Sequence, residues 1–189
     1  MFRTLNTTIF AVVRNLPVAM LLLSGPAFGA SESDPVTTDN WLNHPKTIAV
    51  RNIYKSVEDG ISFQRFKVER RAFEYCEPHA DVSRVINVRA DGLARKYQYE
   101  GGSADSAIKV SHYYDDRGTL RFVFARAGAV NNTVVEYRIY FDEAGERFWH
   151  DYRLVAGPGY TFPSIWPEEW LIREPGAAFV AKNSCADKQ

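Results

Sequence analysis

Apolar positions along the chain change from a helical period to a strand period after about residue 60. Before that point apolar side chains recur every three or four residues, at Val50, Ile53, Tyr54, Val57 and Ile61. Pro45 suits a first helical turn, and Gly60 suits a left-handed C-terminal cap. The spacing predicts one amphipathic helix over about residues 46–59. Charged side chains, among them that of Arg51, fall on its other side, so we expect the apolar stripe to pack inside the domain.

From residue 66 onward, apolar and polar residues alternate, which is typical of strands. Seven such segments follow, starting near Phe66, Val82, Leu93, Ile108, Leu120, Val135 and Phe148. Three of the connections place an aspartate ahead of a glycine, at Asp91-Gly92, Asp115 to Gly118 and Asp142 to Gly145. Aspartate accepts hydrogen bonds from turn amides and glycine adopts positive φ, so these are predicted to be short hairpin loops.

The C-terminal part lacks alternation and is rich in proline and aromatic residues over 157–170. We expect residues 160–170 to lie over the sheet, with one helical turn near Pro167 and a short strand near Phe179. The predicted fold is therefore α+β and mainly β, with one N-terminal helix packed on an antiparallel meander of six to eight strands. A small closed β-barrel is the alternative.

The N-terminal residues 1–29 have the pattern of a signal peptide. Arg3 and Arg14 precede an apolar run over 16–23, and Ala27-Phe28-Gly29 matches a small-x-small cleavage site. The run is far shorter than the roughly 20 apolar residues of a membrane span. We therefore predict an exported protein, periplasmic or extracellular. No membrane anchor is expected after cleavage, because no cysteine precedes Cys76 as a lipid attachment site.

Cleavage after Gly29 leaves a polar leader over 30–44, which we expect to be flexible, and a single globular domain over 45–189. The mature chain has two cysteines, Cys76 and Cys185. In an oxidising compartment this pair predicts one disulfide, which closes a loop of more than 100 residues and contributes at most about 4.7 kcal/mol. A reactive thiol is the alternative, but Glu77 beside Cys76 opposes thiolate formation.

Charge and motif content narrow the functional classes. Lysine plus arginine and aspartate plus glutamate number 23 each, and removal of Arg3 and Arg14 leaves a net charge of −2. A nucleic-acid partner is therefore not expected. The common nucleotide-binding, zinc-protease and serine-hydrolase motifs are absent from the sequence, which favours a protein that is not an enzyme and needs no cofactor.

The weak candidates for catalysis are His112, His150 and Asp151. Both histidines lie on the more apolar phase of a predicted strand. If the strands pair in chain order, three strand spacings, about 14 Å, separate the two histidines, too far for one metal ion unless the sheet curls. No metal site is expected, and the acidic pairs in the hairpin loops lack calcium-ligand spacing. A small secreted hydrolase using these dispersed residues remains the alternative hypothesis.

Aromatic residues are frequent, with 10 Tyr, 12 Phe and 4 Trp. Tyr113, Tyr140 and Trp149 lie on the strand phase assigned outward, where aromatic rings bind sugars or protein surfaces. The first hypothesis is thus an exported soluble binding module whose partner is an extracytoplasmic protein or glycan. A helix or the C-terminal segment covering this face is the alternative. Asn131 begins a glycosylation acceptor sequence, whose use depends on the source.

Overall fold

The computed structural model describes residues 31, 33–73 and 80–182. One long helix is followed by seven strands and an irregular C-terminal segment, and the strands pair in chain order into one antiparallel sheet. The elements are α1 (Pro45–Ser62), β1 (Lys67–Ala72), β2 (Ala80–Val88), β3 (Ala94–Ser103), β4 (Ser106–Tyr114), β5 (Leu120–Ala129), β6 (Val134–Phe141), β7 (Arg147–Ala156) and α2 (Pro175–Val180). The predicted α+β meander is confirmed. The sheet is open, with β1 and β7 as its edges, rather than closed into the alternative barrel.

Helix α1 begins at Pro45 because His44 caps it. The Nδ1 atom of His44 accepts a hydrogen bond from the Lys46 amide at 3.2 Å. The cap role predicted for Gly60 is wrong, since the helix continues to Ser62. A Cβ atom on Gly60 would lie 2.4 Å from the Phe66 ring, so this glycine permits close packing instead.

The hairpin loops form as their aspartates predict. Oδ1 of Asp115 accepts hydrogen bonds from the amides of Arg117 and Thr119 at 2.9 and 3.0 Å, and Gly118 has φ +85°. Asp142 makes the same two contacts, and Gly145 has φ +80°. The sequence pattern therefore identified these turns correctly, because their hydrogen bonds are local.

Both faces of the sheet are covered, so the domain has three layers. Helix α1 contacts β4, β5 and β6 on one face, with Val50 and Val57 packed in a cluster with Tyr113, Phe122 and Tyr140. The C-terminal segment after β7 covers the other face. Apolar side chains consequently occupy both phases of the central strands, which a two-layer domain does not require.

The C-terminal segment is held to the sheet by buried rings and by hydrogen bonds to its backbone. Trp166 is buried, and the Tyr137 hydroxyl donates to the Pro163 carbonyl at 2.7 Å. The expectation of a short strand near Phe179 is wrong. Those residues form α2, which starts with Pro175 in its first turn, a position where a missing N–H costs nothing.

Several expectations concern residues outside those described. The signal peptide over 1–29, the mature start at Ala30, and both Cys76 and Cys185 lie there, so these expectations remain predictions. Within the described ranges, none of the helices has the length and apolar content needed to cross a bilayer.

Candidate functional site: a pocket between the helix and the sheet

Tyr113, Tyr140 and Trp149 lie in one row across the sheet. Tyr113 pairs with Phe122, Phe122 with Tyr140, and Tyr140 with Trp149. Helix α1 lies over this row, and the exposed fractions are 3% for Tyr113 and 4% for Tyr140. The three residues are therefore not the exposed surface that the alternation predicted. Their phase faces a second core, because α1 covers the face that we assigned to solvent.

Trp149 is partly covered by the segment preceding α1. Trp41 stacks on Trp149 with ring centroids 6.0 Å apart and an interplanar angle of 19°, and its edge contacts Tyr140. Residues 33–44, which we expected to be a flexible leader, form turns that carry Trp41 to this position. The Nε1 atom of Trp149 is buried and has no hydrogen-bond partner among the described residues.

The structure does not bring the three catalytic candidates together. His112 and His150 share one row on the face covered by the C-terminal segment, with Val123 and Ile139 between them. Three strand spacings, about 14 Å, separate them, as the chain-order pairing predicted. His112 is completely buried, whereas His150 is exposed. Asp151 follows His150 in β7 and therefore faces the opposite side of the sheet.

A pocket of about 310 Å³ lies between α1 and the sheet, and we call it the α1 pocket. Its walls are mainly apolar and aromatic. The lining residues are Val50, Arg51 and Tyr54 from α1, Phe122 and Phe124 from β5, and Arg138 and Tyr140 from β6. The volume falls at the lower end of the range for small-molecule sites, about 300–1,000 Å³.

Local sequence explains why these side chains meet. Val50 and Tyr54 are four residues apart and so lie on one face of α1. Phe122 and Phe124 share the phase of β5 that faces α1, and they pair across the sheet with Tyr140 and Arg138. The pocket is thus the place where the helix stripe and one strand phase do not fill the space between them.

Arg138 is the first of two positive groups in the pocket. Its Nη2 atom donates to Oε2 of Glu136 at 2.7 Å, and its guanidinium lies over the Phe124 ring at 5.2 Å. Its Nη1 atom is buried without a hydrogen-bond partner among the described residues, and Oδ2 of Asp151 is 3.8 Å away. One N–H-bearing nitrogen of this guanidinium therefore has unused donor capacity.

Arg51 is the second positive group. Its Nη1 atom donates to the Leu42 carbonyl at 2.7 Å, and its guanidinium lies over the Trp41 ring at 5.6 Å. Burial raises the pKa of the Tyr140 hydroxyl, while the nearby charges of Arg51 and then Arg138 act to lower it. Both guanidiniums are therefore close to one hydroxyl group at the pocket wall.

The neighbouring part of the helix–sheet interface is different because its charges are paired. Oε1 of Glu58 accepts hydrogen bonds from Nζ of Lys96 at 2.7 Å and from the Tyr113 hydroxyl at 2.9 Å. Burial, with the Glu58 carboxylate, raises the pKa of Tyr113 well above its usual range. This contact attaches α1 to β3 and β4 and leaves no free charge.

Sequence reasoning found Tyr140 but missed Arg51, Arg138 and Phe124. Arg51 had been assigned to the outer side of α1, and the structure places it at the edge of the pocket. A signal for Arg138 does exist, since it shares the strand phase of Tyr140 in β6. This shared phase points to a pocket residue only when a helix is known to cover that face of the sheet.

No family model, curated protein or solved structure significantly matches this chain. Among the described residues, no cluster of three or more histidine, cysteine, aspartate or glutamate side chains is arranged to hold a metal ion. The geometry of the pocket is therefore the structural feature that points to a function.

Proposed function

We propose that this chain is an exported, non-enzymatic binding protein whose small-molecule ligand occupies the α1 pocket. The observation that carries the proposal is an apolar cavity of about 310 Å³ with two arginines in its wall. A concave apolar site with a few polar groups is the usual form of a ligand site. The N-terminal pattern supports export.

The expected aromatic surface for a protein or glycan gives this proposal no support, because Tyr113 and Tyr140 are buried. The secreted-hydrolase alternative loses its named residues, because His112 and His150 lie far apart and Asp151 faces the opposite side of the sheet. The proposal therefore replaces an exposed recognition face with an internal pocket that shares Tyr140.

A neutral apolar fluorophore, N-phenyl-1-naphthylamine, tests the proposal directly. We expect its fluorescence to rise and to saturate at one molecule per chain when it is titrated with mature protein. Phe124→Trp enlarges a side chain in the pocket wall and is expected to weaken binding by at least about tenfold, which corresponds to about 1.4 kcal/mol.

Phe63→Trp is the matched control, because Phe63 is exposed at the end of α1 and does not line the pocket. This variant is expected to bind the fluorophore as the wild type does. Absence of saturable binding, or equal loss in both variants, would contradict the proposal.

A further inference from the structure

We infer that the ligand of the α1 pocket is an amphiphile with a short apolar body and one anionic head group, a carboxylate or a phosphate. This inference rests on the proposed function, since it specifies the chemistry of the same site. Three observations support it: the donor capacity of Arg138, the balance of charge around the pocket, and the pocket volume.

The first observation is the unused donor. Arg138 lines the pocket, and its Nη1 atom is buried, 3.8 Å from Oδ2 of Asp151, without a hydrogen-bond partner among the described residues. A buried donor without a partner is destabilising, and more so when the group is charged. A ligand oxygen at this atom would remove the cost. Because guanidinium donors match the geometry of carboxylate and phosphate oxygens, an anionic head fits better than a neutral one.

The second observation is an excess of positive charge. Glu136 pairs with Arg126 at 2.9 Å and with Arg138 at 2.7 Å, and Asp151 pairs with Arg153 at 2.8 Å. Two carboxylates are thus shared by three arginines. Arg51 adds a fourth positive charge, and among the described residues it contacts a carbonyl oxygen, an aromatic ring and the Tyr140 hydroxyl. Within the described part of the chain, these four arginines against two carboxylates leave two positive charges without an anion.

This excess is placed at the pocket and not spread over the helix–sheet interface. The charges of Lys96 and Glu58 beneath the same helix neutralise each other. Arg51 and Arg138 both line the pocket, and both act on the hydroxyl of Tyr140. A head group near this hydroxyl would meet two guanidiniums and one O–H donor.

The third observation is size. At about 310 Å³, the pocket lies at the lower end of the range for small-molecule sites. The aromatic and aliphatic side chains of Val50, Tyr54, Phe122 and Phe124 surround this space. The volume therefore fits a short apolar body beside the arginines.

Decanoate, decyl phosphate and decanol test the inference, because the three share one apolar chain and differ in the head. We expect isothermal titration calorimetry to show decanoate or decyl phosphate binding at least about tenfold more tightly than decanol, because hydrogen bonds to a charged head group are stronger than those to a neutral one. The preference between the two anions identifies the head group. Added salt is expected to weaken the binding of the two anions and to leave the affinity for decanol unchanged.

Arg138→Gln is the decisive variant. Glu136 keeps Arg126 and Asp151 keeps Arg153 as partners, so the fold is expected to survive, which circular dichroism checks. The variant is expected to lose most of the preference for the anions and to keep the wild-type affinity for decanol and N-phenyl-1-naphthylamine. Arg51→Gln is expected to act in the same direction. Arg117→Gln, which removes an exposed charge in a hairpin loop outside the pocket, is the control and keeps the preference.

The outcomes separate the two proposals. If neither the fluorophore nor any decyl compound binds, the proposed function fails. If decanol and the fluorophore bind but the anions bind no better, or if Arg138→Gln and Arg51→Gln keep the anion preference, the pocket is a ligand site and the inference about its head group is overturned.

Discussion

His112 in β4 links folding stability to pH. Its imidazole is fully buried between the C-terminal segment and the sheet, near the rings of Tyr97 and Tyr99, each 6.1 Å away. Burial lowers its pKa from 6.5 to about 3. The backbone of Trp170 favours the protonated ring, but its geometry falls short of a hydrogen bond, so neither ring nitrogen has a partner among the described residues.

The sign of the effect follows from proton counting. Between the folded pKa of about 3 and the unfolded pKa of 6.5, the unfolded chain binds a proton at His112 that the folded chain does not. The contribution of His112 to the free energy of unfolding is therefore fully present above pH 6.5 and falls as the pH drops towards 3. At pH 4.5, two units below the unfolded pKa of 6.5, the loss is roughly 3 kcal/mol.

The test compares wild type with His112→Leu in urea unfolding at pH 7.5 and pH 4.5. Leucine is similar in size and has no titrating group, and no hydrogen bond is lost, so the variant is expected to fold at pH 7.5. Carboxylates lose stability at low pH in both proteins. We expect the drop in unfolding free energy between the two pH values to be roughly 3 kcal/mol smaller in the variant.

His150→Gln is the control, because it removes an exposed histidine from the same row of the sheet. It is expected to keep the wild-type pH dependence. If wild type and His112→Leu lose the same free energy at pH 4.5, the imidazole is not desolvated as described, and the packing of the C-terminal segment over β4 is wrong.

Four further measurements test the packing and the covalent predictions. Trp166→Ala is expected to cost about 3–5 kcal/mol and to lower the melting temperature by roughly 10 °C, because the ring is buried; an unchanged melt would mean that the C-terminal segment is not docked. Trp149→Ala, which removes the stack with Trp41, is expected to cost about 2 kcal/mol in chemical unfolding, whereas an exposed ring would cost almost nothing. Gly118→Ala is expected to cost about 1–2 kcal/mol because φ is +85°, and Gly176→Ala, whose Cβ meets nothing within 4 Å, serves as its control in the same assay. Titration of thiols in unfolded, unreduced protein is expected to find none if Cys76 and Cys185 are bonded, and two per chain would refute the bond.

The sequence was most informative where structure depends on local interactions. Three features follow from contacts within a few residues. They are the hydrogen bonds that Asp115 and Asp142 accept from amides in their loops, the positive φ of Gly118 and Gly145, and the alternation of each strand. Order along the sheet followed as well, since short hairpin loops leave consecutive strands no other neighbours. For the same reason the distance between His112 and His150 was predictable from strand counting.

Local pattern misled where two distant segments meet. Phe179 was assigned to a strand, yet Pro175 starts a helix there whose C-terminal carbonyls at Ala178 and Ala181 accept hydrogen bonds from Arg84 in β2. Gly60 was assigned to a cap, yet it lies inside α1 against Phe66. In both cases a contact absent from the local sequence decided the role of the residue.

Alternation along a strand divides its residues into two sets, but it does not say which set faces solvent, because a period of two is the same seen from either side. Here both sets are covered, one by α1 and Trp41 and the other by the C-terminal segment around Trp166. The α1 pocket exists only because a helix stripe and a strand phase, set by separate stretches of sequence, meet without filling the space between them. Packing brings both Arg51 and Arg138 to the wall of that space, and no spacing along the chain relates two residues 87 positions apart.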